Sequence, residues 1–222
     1  MTNSAKARRD LTRLSMLVAT LGAVSVIAMV LTGIARAAHV EPEPGHHAPV
    51  FTGLTSSGET ISLDQFAGKT VVLEWTNHGC PFVQKHYNGD NMQSTQRVAA
   101  ADEDIVWISI ISSAPGTQGY VSAQEANTLS TERNAVPDYV ILDPSGEIGQ
   151  SYKAITTPHM FVIDGDGMVQ YNGAMDDKPS TKPSSLDGAT NYTLNAINAM
   201  QAGEPINPAR TKPYGCSVKY KS

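Results

Sequence analysis

The chain has 222 residues, with 16 Lys and Arg against 21 Asp and Glu, a formal net charge of −5, and 41% hydrophobic residues. That acidic balance argues against nucleic acid or an anionic lipid surface as a partner, since both select for clustered basic side chains. The length suits a single domain with a substantial core, and its only two cysteines are Cys80 and Cys216.

The basic start AKARRDLTR and the uncharged stretch 14–35 behind it read as an export signal or a membrane anchor. The stretch is long enough to span a bilayer. It carries Ser, Thr and Gly throughout, however, and ends in Ala35-Arg36-Ala37, a small-x-small pattern typical of signal-peptide cleavage. Residues 1–37 are therefore expected to be a signal peptide removed before Ala38, and ARRDLTR loosely resembles a twin-arginine export consensus. Cleavage leaves 185 residues with eleven basic and twenty acidic side chains. The mature chain would be periplasmic or secreted, where an isolated cysteine pair is free to form a disulfide. An uncleaved segment would anchor the chain facing the periplasm.

Residues 38–48, overlapping HVEPEPGHHAP (39–49), lack periodicity and read as a proline-rich linker. A domain is expected over 49–203. PVFTGLTSSGETISL alternates and turns at Ser57-Gly58 as a β-hairpin, and KTVVLEW is an apolar run suited to a strand buried on both faces. From Pro81 a helix is expected to about Ala101, interrupted at Asn88-Gly89-Asp90. IVWISIIS gives the second buried strand, and Ser122 with Glu125 forms a capping box that opens a helix to about Asn134. VPDYVILDPSG supplies a short strand and turn, and GQSYKAI a helical turn or two. HMFVID and MVQYNGA then read as two strands joined at Gly165-Asp166-Gly167. Leu194, Ile197 and Met200 stripe a last helix that Gly203 caps. Residues 204–222 are a tail with Pro205, Pro208 and Pro213, extended over the surface and carrying Cys216. Trp75, Trp107, Phe161 and Val162 are assigned to the core, and Asp176-Asp177-Lys178 to a solvated loop.

The stretch EWTNHGCPFVQKHY holds the candidate chemistry. An apolar strand running into Gly79-Cys80-Pro81 puts Cys80 at the N-cap of a helix and Pro81 at its first position. Unpaired N–H groups and the positive end of the helix dipole stabilise a thiolate there. His78 and His86 are candidate auxiliaries if protonated and close. A small inert buried cysteine is the competing reading.

The strand-WTNHGCP-helix element, Thr156-Thr157-Pro158-His159 and the closing hairpin resemble a thioredoxin-fold redoxin. The resemblance is closer to the peroxiredoxin-like proteins grouped with alkyl hydroperoxide reductase and thiol-specific antioxidant. It covers about residues 49–203 and implies an α/β fold with a central mixed sheet flanked by helices, an N-terminal β-hairpin and an extended C-terminal tail. It further implies that Pro158 is cis beside Cys80, that Thr157 offers backbone groups to a bound partner chain, and that His159 lies near the thiol, with Trp75 and Thr76 in the surrounding motif.

The departures from that pattern bear on mechanism. Val83 stands where thioredoxins carry a second cysteine, and Thr76 is one residue too far from Cys80 for the usual peroxidatic spacing. Arg97 and Arg133 fall in no recognisable peroxidase motif. Cys216 is then the only intramolecular resolving thiol, as a cycling partner of Cys80 or as half of a permanent staple. The expected function is thiol–disulfide exchange at Cys80. The alternatives are a thiol-dependent peroxidase, and a copper-binding or non-catalytic scaffold redoxin in which His78, Cys80, His86 and His159 converge on a metal. No cofactor is called for. The expected partners are a thiol or disulfide protein or a small thiol reductant, with no nucleic acid, and with a membrane only through an uncleaved N-terminal segment.

Overall fold

The computed structural model describes residues 42–221. The run KTVVLEW becomes the middle of a sheet because its side chains are buried on both faces. Strand β3 (Thr70–Trp75) follows a hairpin of β1 (Thr52–Thr55) and β2 (Thr60–Ser62) and a 3-10 turn over Leu63–Phe66. Next come helices α1 (Pro81–Asn88) and α2 (Asn91–Ala100), strand β4 (Ile105–Ile111), helix α3 (Ala123–Glu132) and strand β5 (Tyr139–Leu142). The chain closes with α4 (Glu147–Ser151), β6 (Thr156–Thr157), β7 (His159–Ile163), β8 (Val169–Gly173), α5 (Tyr192–Ala202) and β9 (Cys216–Ser217).

The main sheet has seven strands in the order β2-β1-β5-β4-β3-β7-β8. β3 runs parallel to β4 and antiparallel to β7, and β4 runs parallel to β5, so the sheet is mixed. Alternation along β3 sends Val71, Leu73 and Trp75 into one core layer with Phe51, Ile61, Tyr152 and Phe161. Val72 points into the other, where α1, α2 and α5 contribute Val83, Met92 and Ile197. This is the thioredoxin-like α/β arrangement that the resemblance implied.

The break at Asn88-Gly89-Asp90 splits the expected helix into α1 and α2, with Asp90 in the left-handed region at φ 55°. Ser122 caps α3 through the expected box, and Gly203 ends α5 at φ 65°. The linker expectation is corrected from Pro42 onward. Pro42 is buried and its carbonyl accepts from Asn172 Nδ2 at 2.8 Å, while Gly45 N–H donates to Val169 O at 2.8 Å. Residues 42–48 thus belong to the fold, because the unpaired edge of β8 offers them backbone partners. Residues 1–37 and the cleavage site Ala35-Arg36-Ala37 lie outside the described residues. Among those described, no helix is long and apolar enough to cross a membrane.

The apolar run conceals one carboxylate. Glu74, fully buried in β3, accepts from Tyr87 Oη at 2.9 Å, Ser109 Oγ at 2.9 Å, Trp107 Nε1 at 3.1 Å and Gln96 Nε2 at 3.3 Å. Those donors come from α1, α2 and β4, so one side chain ties two helices to the sheet. Removing it strands several buried donors, each costing about 1–3 kcal/mol. Glu74→Leu is therefore expected to lower the unfolding free energy by about 3 kcal/mol or more, read by urea denaturation. A loss under about 1 kcal/mol would show that the network is relieved by rearrangement or water.

Candidate active site

The register of the sheet assembles the site. Trp75, the last residue of β3, pairs with both Ile110 and His159. The chain leaving β3 therefore runs beside the residues just before His159, which are Thr157 and the cis-linked Pro158. Thr76 N–H extends the ladder to Ile110 O at 3.0 Å. Asn77 then folds the loop: its Oδ1 accepts from Gly79 N–H at 2.9 Å and its Nδ2 donates to Gln118 O at 3.1 Å. Gln118 in turn donates to Gly79 O at 2.9 Å. The turn delivers Cys80 as the N-cap of α1 with Pro81 at the first helical position, and the cysteine is completely buried.

The Cys80 thiol donates to Thr157 O at 3.1 Å. β6 pairs antiparallel with β9 so that Thr157 lies opposite Cys216. The two cysteines, both free thiols, come within hydrogen-bonding reach of one another beside Thr157. Burial raises the Cys80 pKa, but donation from the Cys216 thiol, the Thr157 side chain and the Val83 and Cys216 N–H groups outweighs it, leaving a net lowering below the ordinary thiol value. The Thr157 hydroxyl is buried without a hydrogen-bond partner, which leaves it free to donate to an ionised sulfur. Cys216 moves the opposite way, up to about 11, through burial and then through its hydrogen bond and proximity to Cys80. The two thiols are shifted in opposite directions, Cys80 being the one favoured to give up its proton.

Two of the three candidate histidines, His86 and His159, are buried and held neutral. His159 lies on the opposite face of β7 from Met160, which packs in the Cys80 layer; its ring stacks on Phe161 with centroids 4.7 Å apart. Its Nε2 meets Asn172 Oδ1 at 2.8 Å, and burial lowers its pKa to about 4. The period of two along a strand explains the miss, since Pro158 and His159 cannot both face Cys80. His86 is buried, bonded through Nδ1 to Asn91 at 2.8 Å, and brought down to about 3 by burial and by Lys85. It carries no charge near neutral pH to help the thiolate. His78 is half-buried, its pKa lowered by burial and by Arg133, and it lines a cleft with Thr76, Tyr87 and Arg133. Trp75 belongs to the other core layer and donates to Ser112 Oγ at 3.1 Å. Among the described residues no three His, Cys, Asp or Glu side chains are grouped to hold a metal, so His78, Cys80, His86 and His159 do not form a metal centre. Arg97 pairs with Asp90 at 2.5 Å, and the Arg133 guanidinium lies 4.0 Å from the Tyr87 ring centroid with its buried Nη1 lacking a hydrogen-bond partner.

The Redoxin family profile matches residues 43–189. The chain belongs to the redoxin family. Membership supports oxidoreductase activity. This redoxin is similar in structure to an uncharacterized conserved protein from Geobacillus kaustophilus, with TM-score 0.67 and 22% identity over 81% of this chain and 93% of that one. It is also similar to a hypothetical protein from Sinorhizobium meliloti 1021, with TM-score 0.65 and 17% identity over 79% and 93% of the two chains. No curated protein matches the sequence.

Three residues at the site escaped the sequence reading. Asp176, assigned to a solvated loop, is buried in an ion pair with Lys85 at 2.9 Å, and Tyr214 Oη touches both of them. A lysine inside an otherwise buried helix face was the available signal for the pair, and an aromatic two residues before Cys216 the signal for Tyr214.

Two measurements test this site. The alkylation midpoint of Cys80 in reduced protein is expected below the free-thiol value of ~8.5, and Cys216→Ala, which removes a donor to the sulfur, is expected to raise it. A wild-type midpoint at or above that value would mark Cys80 as structural. Acid stability tests the histidines. His86 and His159 stay neutral in the folded protein down to about 3 and about 4, whereas unfolded histidine protonates near ~6.5. Their contribution is complete above that pH and drains away as pH falls toward their folded values. The melting temperature should therefore drop below pH ~6.5, and His159→Gln should flatten the drop; an unchanged slope would mean that His159 titrates normally.

Proposed function

We propose that this redoxin is an exported thiol–disulfide oxidoreductase in which Cys80 attacks and Cys216 resolves. The observation that carries this reading is that the Cys80 thiol bonds the carbonyl of Thr157, the residue paired with Cys216 across β6 and β9. The Cys80 thiolate attacks one sulfur of a disulfide R–S–S–R, forming Cys80–S–S–R and expelling RS⁻. That thiolate takes up the proton of Cys216. The Cys216 sulfur then attacks Cys80 Sγ, closing the Cys80–Cys216 disulfide and expelling the second RS⁻. The substrate gains two electrons and the protein loses two thiol protons; a dithiol partner reverses the sequence. Thr157 and Pro158 frame the sulfur pair.

The peroxidase alternative has less support, because Arg97 pairs with Asp90 and the thiol donates to a carbonyl at its site. Export rests on the N-terminal sequence pattern alone. It is tested by the intact mass of exported protein, with Ala38 expected as the first residue.

Oxidation with a small disulfide followed by non-reducing peptide mapping tests the cycle. Wild-type protein should yield a Cys80–Cys216 peptide that a mild thiol reductant removes. Cys216→Ala should accumulate the Cys80 mixed disulfide, and Cys80→Ala should lose turnover by about a hundredfold or more. Two free thiols surviving oxidation would sink the exchange reading, and a bridge resisting reduction would make the pair a structural staple.

A further inference from the structure

The segments on either side of Cys216 are held by different means. Beyond it the tail follows backbone partners: Val218 N–H donates to Ile155 O at 3.2 Å, Ala114 N–H to Lys219 O at 2.8 Å, and Tyr220 Oη to Ala154 O at 2.7 Å. Further back, backbone bonds of Asn172 with Ala209 O and Thr211 N–H hold the tail to β8, and between there and Cys216 it is held by side chains. Lys85, with no exposed surface, donates through Nζ to both oxygens of Asp176 at 2.9 and 3.1 Å, to Lys178 O at 2.8 Å and to Tyr214 Oη at 2.9 Å. Tyr214 Oη also bonds Asp176 Oδ1, and its ring packs edge-on against Phe82 with centroids 5.7 Å apart.

Lys85 and Asp176 could join α1 to the loop after β8 without the tail. They also bind Tyr214, which is half-buried at the surface and has the tail as its only covalent connection to the site. An undocked tail would take a partner from each member of a buried ion pair, and such groups are costly to leave unsatisfied. Phe82 and Lys85, the two α1 residues that meet Tyr214, moreover lie on the helix that Cys80 caps. Gly215 then fits between Tyr214 and Cys216 at φ 149°, where an added Cβ would run into the Thr157 carbonyl.

We propose that Lys85, Asp176 and Tyr214 are positioning residues that set the approach of Cys216 to Cys80, so that the clamp governs the resolving step and not the initial attack. This rests on the exchange reading above. Attack on an outside disulfide requires Cys80 to be uncovered but does not use the Cys216 sulfur. Resolution requires the Cys216 sulfur in line with a mixed disulfide, and misplacement on the ångström scale can cost about a hundredfold in such steps.

A chromogenic aromatic disulfide in stopped flow separates the steps, since attack by Cys80 releases one equivalent of coloured thiolate and closure by Cys216 releases the second. Wild type should release two. Tyr214→Phe, which keeps the ring but not the hydroxyl, should still release two, with the second phase slower by roughly tenfold or more and the first phase no slower. The Lys85→Met, Asp176→Leu double variant should behave likewise, since replacing a buried pair with apolar residues tends to preserve stability. Gly215→Ala displaces the same segment by a different contact and should reproduce the slow second phase. A second phase unchanged in Tyr214→Phe and Gly215→Ala overturns the proposal, as does equal slowing of both phases. Release of a single equivalent by wild type overturns the exchange reading itself, and the clamp with it.

Discussion

Three segments meet at the backbone of Thr157, and the site depends on that meeting. β3 ends in register with His159, so the loop leaving the central strand can only run beside the two residues before β7. Those residues have their other edge free, and β9 takes it. The Cys80 thiol thereby bonds the Thr157 carbonyl, and the β6–β9 pairing sets Cys216 opposite the same residue. A tail tethered only at Gly203 would offer Cys216 at an effective concentration of roughly millimolar. A paired strand holds it at the target.

Buried polar groups do the rest of the positioning, and they converge on α1. Tyr87 reaches into the sheet to Glu74, and Lys85 reaches out to Asp176. Both are polar contacts inside an apolar layer, where an unpaired group is costly and a satisfied one permits little alternative geometry. Helix α1 has only eight residues and little stability of its own. Anchoring it at its second turn, from within the core and from the tail side, keeps its first turn and Cys80 in place.

Much of this was legible in the sequence, and the unread parts share a physical cause. KTVVLEW, IVWISIIS and the capping box at Ser122 are local patterns, and each produced the expected element. Cys80 followed by Pro81 placed the thiol at a helix start for the same reason. His159 was misjudged because adjacency in sequence was taken for adjacency in space, against the alternation of a strand. Asp176 was misjudged because its partner lies 91 positions earlier, and a charged residue in a polar stretch gives no local sign of being buried. The linker at residues 42–48 looked free because its partners are backbone groups of β8, which composition does not reveal.

The burial of the two sulfurs adds a constraint on how they can work. Cys80 is the thiol inclined to ionise, yet it has no exposed surface, while Cys216 is partly exposed but holds its proton up to about 11. A disulfide arriving from solvent meets first the thiol least able to attack it. The thiol that can attack is covered, in part by the strand that carries the first. Reaction at the wrong sulfur is suppressed by protonation and at the right one by burial, so on the proposed cycle β9 must separate from β6 before Cys80 is reached. The backbone bonds of a two-residue strand are few enough to break transiently. The same short pairing that aligns the sulfurs is therefore also the part of the site most easily opened, and its return after attack is what brings Cys216 back onto Cys80.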